Sequence, residues 1–412
     1  MKERKAVTRE LHMRYTKATK KEKHTILNEF TRLTGHNRSY AARTLRREPR
    51  DGRLRKARQV RPHIYTDEVL AVLKKIWHIA DMICGKRLKP FLPELVGRLE
   101  HFNELTLSPE YKEKLLLISP ATIDRLLATE RRKLSLKGRA TTKPGTLLKH
   151  QIPIRTFADW DEARPGFIGI NLVAHDGGSS SGDFIHTLDA TDVSSGWTET
   201  RAVRNKAQFW VFAALKDIVQ RLPFPVLGID SDNGSEFINN QLMRFCEAAK
   251  ITFTRSRANK KNDGCYVEQK NWSVVRRSVG YLRYDTGEEL ALLNELYGYL
   301  RLYTNFFSPS MKLKEKTRAG GRVHRKYDLP KTPYQRVMAS DQISKEEKEK
   351  LEETYLSLNP AELKRTTEAK LDQLYKGYQA KRGAQRVEPF KKQSPRTVTN
   401  YMIQPESIQL PT

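Results

Sequence analysis

Val226-Leu-Gly-Ile-Asp-Ser-Asp-Asn-Gly-Ser-Glu-Phe237 is the stretch around which the rest of the chain falls into place. The run Val226–Ile229 reads as a buried strand, and acids follow it. Asn233-Gly234 is a turn signal. Asp232 is therefore expected at the C-terminal end of a strand, carried by a rigid element and facing outward. Thirty-six positions on (268 − 232 = 36) comes Glu268, in Asn262-Asp-Gly-Cys-Tyr-Val-Glu-Gln-Lys-Asn271, which reads as a turn entering a helix.

Working outward, the neighbouring sequence is an α/β pattern. Gly166–His175, Phe184–Asp192 and Gly196–Val203 read as three strands, the last two joined through Ser194-Ser195-Gly196. Asn205–Leu222 has helical periodicity in Phe209, Val211, Phe212, Leu215, Ile218 and Val219. Val226–Asp230 is the fourth strand, Asn239–Lys250 a helix and Ile251–Thr254 the fifth strand. Helices over Gly264–Tyr284 and Glu288–Phe306 follow. Three meandering strands, then strands alternating with helices, predict a five-stranded mixed sheet flanked by helices.

Composition bears on the partner. The chain has 412 residues and a net charge of +28, which suggests two to four domains and a polyanionic partner. A membrane surface is the competing partner, but no stretch nears the roughly 18 consecutive apolar residues of a span. The first residues lack the apolar core of a secretory signal, so the mature chain is expected to begin near Met1. Cys84, Cys246 and Cys265 are scattered, with no Cys-x-x-Cys pair, which argues against a zinc site and for a reducing, cytosolic or nucleoid-associated setting.

The flanks are basic. Residues 1–60 are expected to hold a helix over Lys20–Leu33, a Thr34-Gly35-His36 stop and a short basic helix over 37–47. This is the outline of a DNA-binding helix-turn-helix, with Arg38, Arg43, Arg46 and Arg47 as contacts. Residues 61–134 read as a second helical domain: a helix from Thr66, another over Lys89–Leu99, and a third over Ala121–Leu134 behind Ser119-Pro120. It again resembles a helix-turn-helix, with Arg125 and Arg131 as candidate DNA contacts, and a helical spacer is the plainer reading. Residues 135–162 form a basic linker whose Lys137 and Arg139 suit the DNA backbone, or an ordinary linker. After a core over 163–306, residues 307–340 form a small basic β segment. Residues 341–412 form a helical C-terminal region and tail, a segment type that joins protomers or stands as a solvated hairpin.

The order β-β-β-α-β-α-β-α, with Asp232-Asn-Gly-Ser-Glu-Phe237 and a Glu 36 positions on, resembles the retroviral-integrase catalytic core, an RNase H-like fold shared by bacterial insertion-sequence DDE transposases. Arg164-Pro165-Gly166 and Ser195-Gly196-Trp197-Thr-Glu199 add to the likeness. It covers residues 160–306 firmly and the flanks loosely. The resemblance implies DNA integration by hydrolysis of a phosphodiester and strand transfer. It implies two Mg²⁺ or Mn²⁺ ions held by three carboxylates, transposon-end and target duplexes as partners, and at least a dimer, since two ends are joined in concert.

Asp232 and Glu268 occupy two positions of the family's carboxylate triad. The first position, five to seven residues after Pro-Gly, falls on Asn171. Asparagine is neutral and offers one carbonyl oxygen and an amide donor, so catalysis is expected to be impaired while fold and DNA binding survive. The alternative register makes Asp176 the ligand. Asp189, Asp192 and Asp230 read as solvated strand-end acids, and His175 as a packed or surface histidine. Lys260, Lys261 and Lys270 suit the phosphates beside the scissile bond, or plain surface charge, whereas Tyr266 and Trp272 read as packing groups. A non-catalytic DNA-binding regulator built on such a core is a second function class, and a ribonuclease on the same fold a third, against which the two DNA-binding arms argue.

Overall fold

The computed structural model describes residues 2–46, 65–133, 164–232, 234, 236–255, 265–319 and 322–385. The chain falls into two compact units, residues 1–64 and 65–412.

The first unit contains α1 (Lys2–Lys17), α2 (Lys20–Thr34) and α3 (Arg38–Arg46). Thr19 and Glu22 close a capping box at the start of α2, where the Thr19 backbone N–H donates to Glu22 Oε2 at 2.7 Å. Gly35, at φ +71°, ends α2 in the left-handed region that favours glycine. Two short helices alone would leave Ile26, Leu27, Phe30 and Leu45 half covered. The unforeseen α1 supplies Leu11 and Tyr15, four residues apart on one face, and completes that core.

The second unit opens with α4 (Asp67–Ile79), α5 (Gly85–His101), α6 (Pro109–Leu117), α7 (Pro120–Leu126) and α8 (Ala128–Lys133). The expected single helix over 121–134 is thus two, interrupted at Leu127, and α6 had no counterpart in the sequence reading. Ser119 caps α7, with Pro120 at its first position.

These helices are not a separate domain, because their core is continuous with that of the sheet. Tyr303 Oη donates to Ile79 O. Asp81 pairs with Arg277 at 3.1 Å and Lys364 at 2.8 Å, and Arg98 Nη2 donates to the carbonyls of Tyr355, Leu356 and Leu358 at 2.8–3.0 Å.

The sheet has strands β1 (Phe167–Ala174), β2 (His186–Asp192), β3 (Thr198–Val203), β4 (Gly228–Ser231) and β5 (Thr252–Arg255), in the order β3-β2-β1-β4-β5. β1, β2 and β3 pair antiparallel, and β4 and β5 continue parallel to β1. The five-stranded mixed sheet and its strand sequence agree with expectation. Side chains alternate across the pleat. Ile168, Ile170, Leu172, Leu188, Ala190 and Ile229 share one core with Val211, Leu215 and Ile218 of α9 (Gln208–Arg221). Val173 on the opposite face joins Val275, Val279, Leu293 and Tyr297.

After α10 (Asn240–Ala248) and β5 come α11 (Cys265–Lys270), a π-helical segment (Asn271–Arg276), α12 (Arg277–Val279) and α13 (Gly287–Phe307). β6 (Leu313–Ala319) and β7 (Arg322–Tyr327) form a separate antiparallel ribbon, which matches the expected small basic β segment. α14 (Pro333–Met338), α15 (Lys345–Ser357) and α16 (Pro360–Gln385) complete the described chain. α16 packs along α13 and buries Leu374, so this helix is neither a solvated hairpin arm nor an unpartnered face. No described helix is long and apolar enough to cross a membrane.

Candidate functional site

The site grows from the face of the sheet that carries Asn171. On β1 this residue lies directly opposite Asp189 of β2. β1 also runs parallel to β4 as far as Ile170 beside Ser231, and Asp232 follows one residue past β4. Asp189 and Asn171 thus face the same side of the sheet from adjacent strands, with Asp232 at the end of the next strand.

A tight loop aims Asp232. Its Oδ1 accepts from the Gly234 backbone N–H at 2.9 Å. A Cβ on Gly234 would stand 2.6 Å from Glu236 Cδ and 2.9 Å from Asp232 Oδ1, so both carboxyl groups lie close over this glycine. Burial pushes the Asp232 carboxyl up to about 6; the Gly234 hydrogen bond works against this, and the charges of Glu236 and Glu268 add to it. Glu268, on α11, is therefore close enough to be felt by Asp232. Its own side chain is exposed. Two carboxylates 36 positions apart in sequence share one electrostatic neighbourhood.

The acids of the central strands differ from expectation. Asp189, Asp192 and Asp230 are buried, not solvated. Asp192 is structural: its Oδ2 accepts from the Ser195 N–H and hydroxyl, both at 2.6 Å, and its Oδ1 from the Gly166 N–H at 2.8 Å. Asp230 accepts from the Thr254 hydroxyl at 2.5 Å.

Asp189 is the unexpected member. One oxygen accepts from Thr191 Oγ1 at 3.1 Å, while Oδ2 is buried with no hydrogen-bond partner. Burial pushes its carboxyl up to about 7, and Lys270 and Thr191 only partly offset this. No sequence signal distinguished it, because which strand face a helix covers is a tertiary fact.

The remaining candidates divide. Burial pushes the Lys270 ammonium down to about 8, with the charge of Asp189 opposing the shift, and the side chain is partly buried. Trp272 is exposed, not packed. Asp176 lies beyond β1, accepts from the Gly178 N–H at 3.0 Å and pairs through its backbone with Arg283 in an isolated antiparallel bridge. His175 is buried, with Nε2 2.7 Å from Thr187 Oγ1.

Arg38, Arg43, Arg46 and Arg125 are exposed on helices. Arg131 instead pairs with Asp124 at 2.9 Å and lies over the Trp77 ring, so packing holds it. Arg47, Lys137, Arg139, Lys260 and Lys261 lie outside the described residues, as does the side chain of Tyr266.

Among the described residues no group of three or more His, Cys, Asp or Glu side chains converges as a metal cluster. The donor chemistry nevertheless fits a hard divalent cation at the Asp232–Glu268 pair. Both are oxygen ligands, and their mutual repulsion is of the kind a cation relieves.

The Asp189 burial carries a testable sign. Its folded value stands above the ordinary 3.8, so between about pH 4 and 7 the native state holds a proton that the unfolded chain has lost. Stability therefore falls as pH rises through that window. In Asp189→Asn this fall is expected to flatten, raising the melting temperature relative to the parent at pH 8 but not at pH 4. Parallel melting curves at all pH values would remove the assignment of the charge to Asp189.

Residues 170–261 match the integrase core domain. The uncharacterized protein y4rM of Sinorhizobium fredii is 42% identical over 323 residues, covering 78% of this chain and 91% of that protein. The crystal structure of the catalytic core domain of BIV integrase is 17% identical, with a TM-score of 0.28, and the match covers 41% of this chain and 91% of that one.

Proposed function

We propose a DNA-transposing role for this chain, which belongs to the family that includes the uncharacterized protein y4rM of Sinorhizobium fredii and carries an integrase core domain. In this reading it is an insertion-sequence transposase. It binds transposon-end duplexes, hydrolyses a phosphodiester to free a 3′-hydroxyl, and joins that end to target DNA. One observation carries the reading: Asp232, one residue past β4, feels Glu268 from α11, and β4 runs beside the strand that carries Asn171.

Asp232 and Glu268 would hold two Mg²⁺ or Mn²⁺ ions, with Asn171 at the third corner. Such ions, when bound, activate the attacking hydroxyl and stabilise the leaving oxygen. The chain's own contribution is to fix the carboxylates on a rigid strand and helix, and asparagine at 171 leaves that set one charge short. The chain is therefore expected to be slow as it stands.

The exposed Arg38, Arg43 and Arg46 on α3 support DNA docking through an α2–α3 helix-turn-helix, and Arg125 supports a second contact. At least a dimer, associated with the nucleoid, is the natural form for joining two ends.

The neutral Asn171 favours a second reading, a DNA-binding regulator without chemistry. Both readings expect salt-sensitive retention of duplexes taken from the DNA flanking the gene. They part on Asn171→Asp with Mn²⁺. A transposase nicks those duplexes and loses the activity on a further Glu268→Gln change, whereas a regulator stays inert.

A further inference from the structure

We propose that the β6–β7 ribbon is a DNA-docking arm that lays one of its two faces into the major groove of duplex DNA. The inference rests on the DNA-processing reading above but uses residues outside the carboxylate site.

The register sorts the ribbon into two unlike faces. Leu313 pairs with Tyr327, Lys316 with Arg325, and Arg318 with Val323. Cross-strand partners share a face, and alternate residues along a strand do too. Leu313, Arg318, Val323, Arg325 and Tyr327 therefore lie on one side. Glu315, Thr317, His324 and Lys326 lie on the other.

On the first side three large apolar side chains stand exposed, Leu313 at 40%, Val323 at 39% and Tyr327 at 47%. Beside them are two arginines, and no acid is on that face. A solvated charged strand has no use for three exposed apolar groups among its cations. A DNA groove accommodates both: apolar contact to thymine methyls and sugars, guanidinium contact to phosphates and guanine edges. The other face carries the ribbon's acid, Glu315.

Shape agrees. The major groove of B-DNA is about 12 Å wide and admits a two-stranded ribbon, whereas the deep, narrow major groove of A-form RNA does not. A lone two-stranded hairpin is marginal in water, and this one is held at its base. Lys312 donates to the carbonyls of Val193, at 2.5 Å, and Ser194. Asp328 accepts from the Lys312 N–H at 2.6 Å and pairs with Arg336 at 2.6 Å, and Arg336 also reaches Ser310 O at 2.9 Å. The arm is thus anchored to the body at one end and exposed over its length.

The test measures binding of the full chain to a DNA duplex of about 40 base pairs, roughly four helical turns, taken from the gene's flanks, and to an RNA duplex of the same sequence. Arg325→Glu and Lys326→Glu make the same charge change at adjacent positions on opposite faces. Arg325→Glu is expected to weaken DNA binding at least about tenfold and to lower the salt slope by about one, whereas Lys326→Glu stays within about threefold. Tyr327→Ser is expected to weaken binding without changing the salt slope. Equal losses from the two glutamate variants, or an RNA duplex bound as tightly as DNA and equally dependent on Arg325, overturn the groove-docking arm. If the parent chain shows no salt-sensitive duplex binding, the wider DNA reading falls with it; if the parent binds and Arg325→Glu binds equally well, only the arm falls.

Discussion

Asn171→Asp is expected to raise Mn²⁺-dependent nicking of flanking-DNA duplexes by at least about 100-fold. The scale is that of adding or removing one well-placed electrostatic group at a reacting centre. The geometry makes the gain specific to this position. Asn171 lies opposite Asp189 on the strand beside β4, at whose end Asp232 stands, so a carboxylate here adds its charge to that face of the sheet. As asparagine, its Oδ1 accepts from the Leu172 N–H at 2.7 Å, which takes one of the two lone pairs of its only acceptor oxygen. Aspartate keeps that oxygen and adds a second. Mn²⁺ affinity, read by titration calorimetry without DNA, should rise in parallel. Unchanged affinity in Asn171→Asp, together with altered affinity in Asp176→Asn, would move the site to the other register.

Arg301→Ala carries the largest expected stability loss, about 3–5 kcal/mol in urea unfolding. Glu199 is fully buried on β3 and accepts from Arg301 Nε at 2.6 Å and from Trp197 Nε1 at 3.0 Å. Removing the guanidinium leaves a buried carboxylate with only the indole as a donor. Glu199→Gln in the same background should return a large part of the loss, because the uncompensated charge is then gone. A single-variant loss below about 1 kcal/mol would show that water reaches Glu199 and that the pair is not a buried one. The Ser195-Gly196-Trp197-Thr-Glu199 motif is thereby explained as scaffold: Ser195 and Trp197 close the β2–β3 turn on Asp192, and Glu199 ties the sheet to α13.

The order of strands and helices in the core was legible because each is a local pattern. Val226–Ile229 is a run too apolar for a surface loop, Asn233-Gly234 a turn, and α9 and α13 repeat their apolar residues at helical spacing. The same logic placed Asp232 at a strand end and Glu268 on a helix. Misjudged were residues whose environment is set by elements distant in sequence. Asp189, Asp192 and Asp230 looked like strand-end acids and are buried, Asp189 and Asp230 on one face of the sheet and Asp192 on the other, where the Ser195 turn closes over it. Trp272 looked like core and is exposed.

The amino-acid sequence alone determined the core's element order, the Asp232–Glu268 spacing and the neutral residue at 171, since each depends on neighbours a few residues away or on a count along the chain. Only the tertiary structure decided that Asp189 stands opposite Asn171, that the helices of residues 67–133 share the sheet's core, and that the β6–β7 ribbon sets its apolar and arginine side chains on one face. Strand register and helix packing create those juxtapositions, and neither is written in any local stretch of residues.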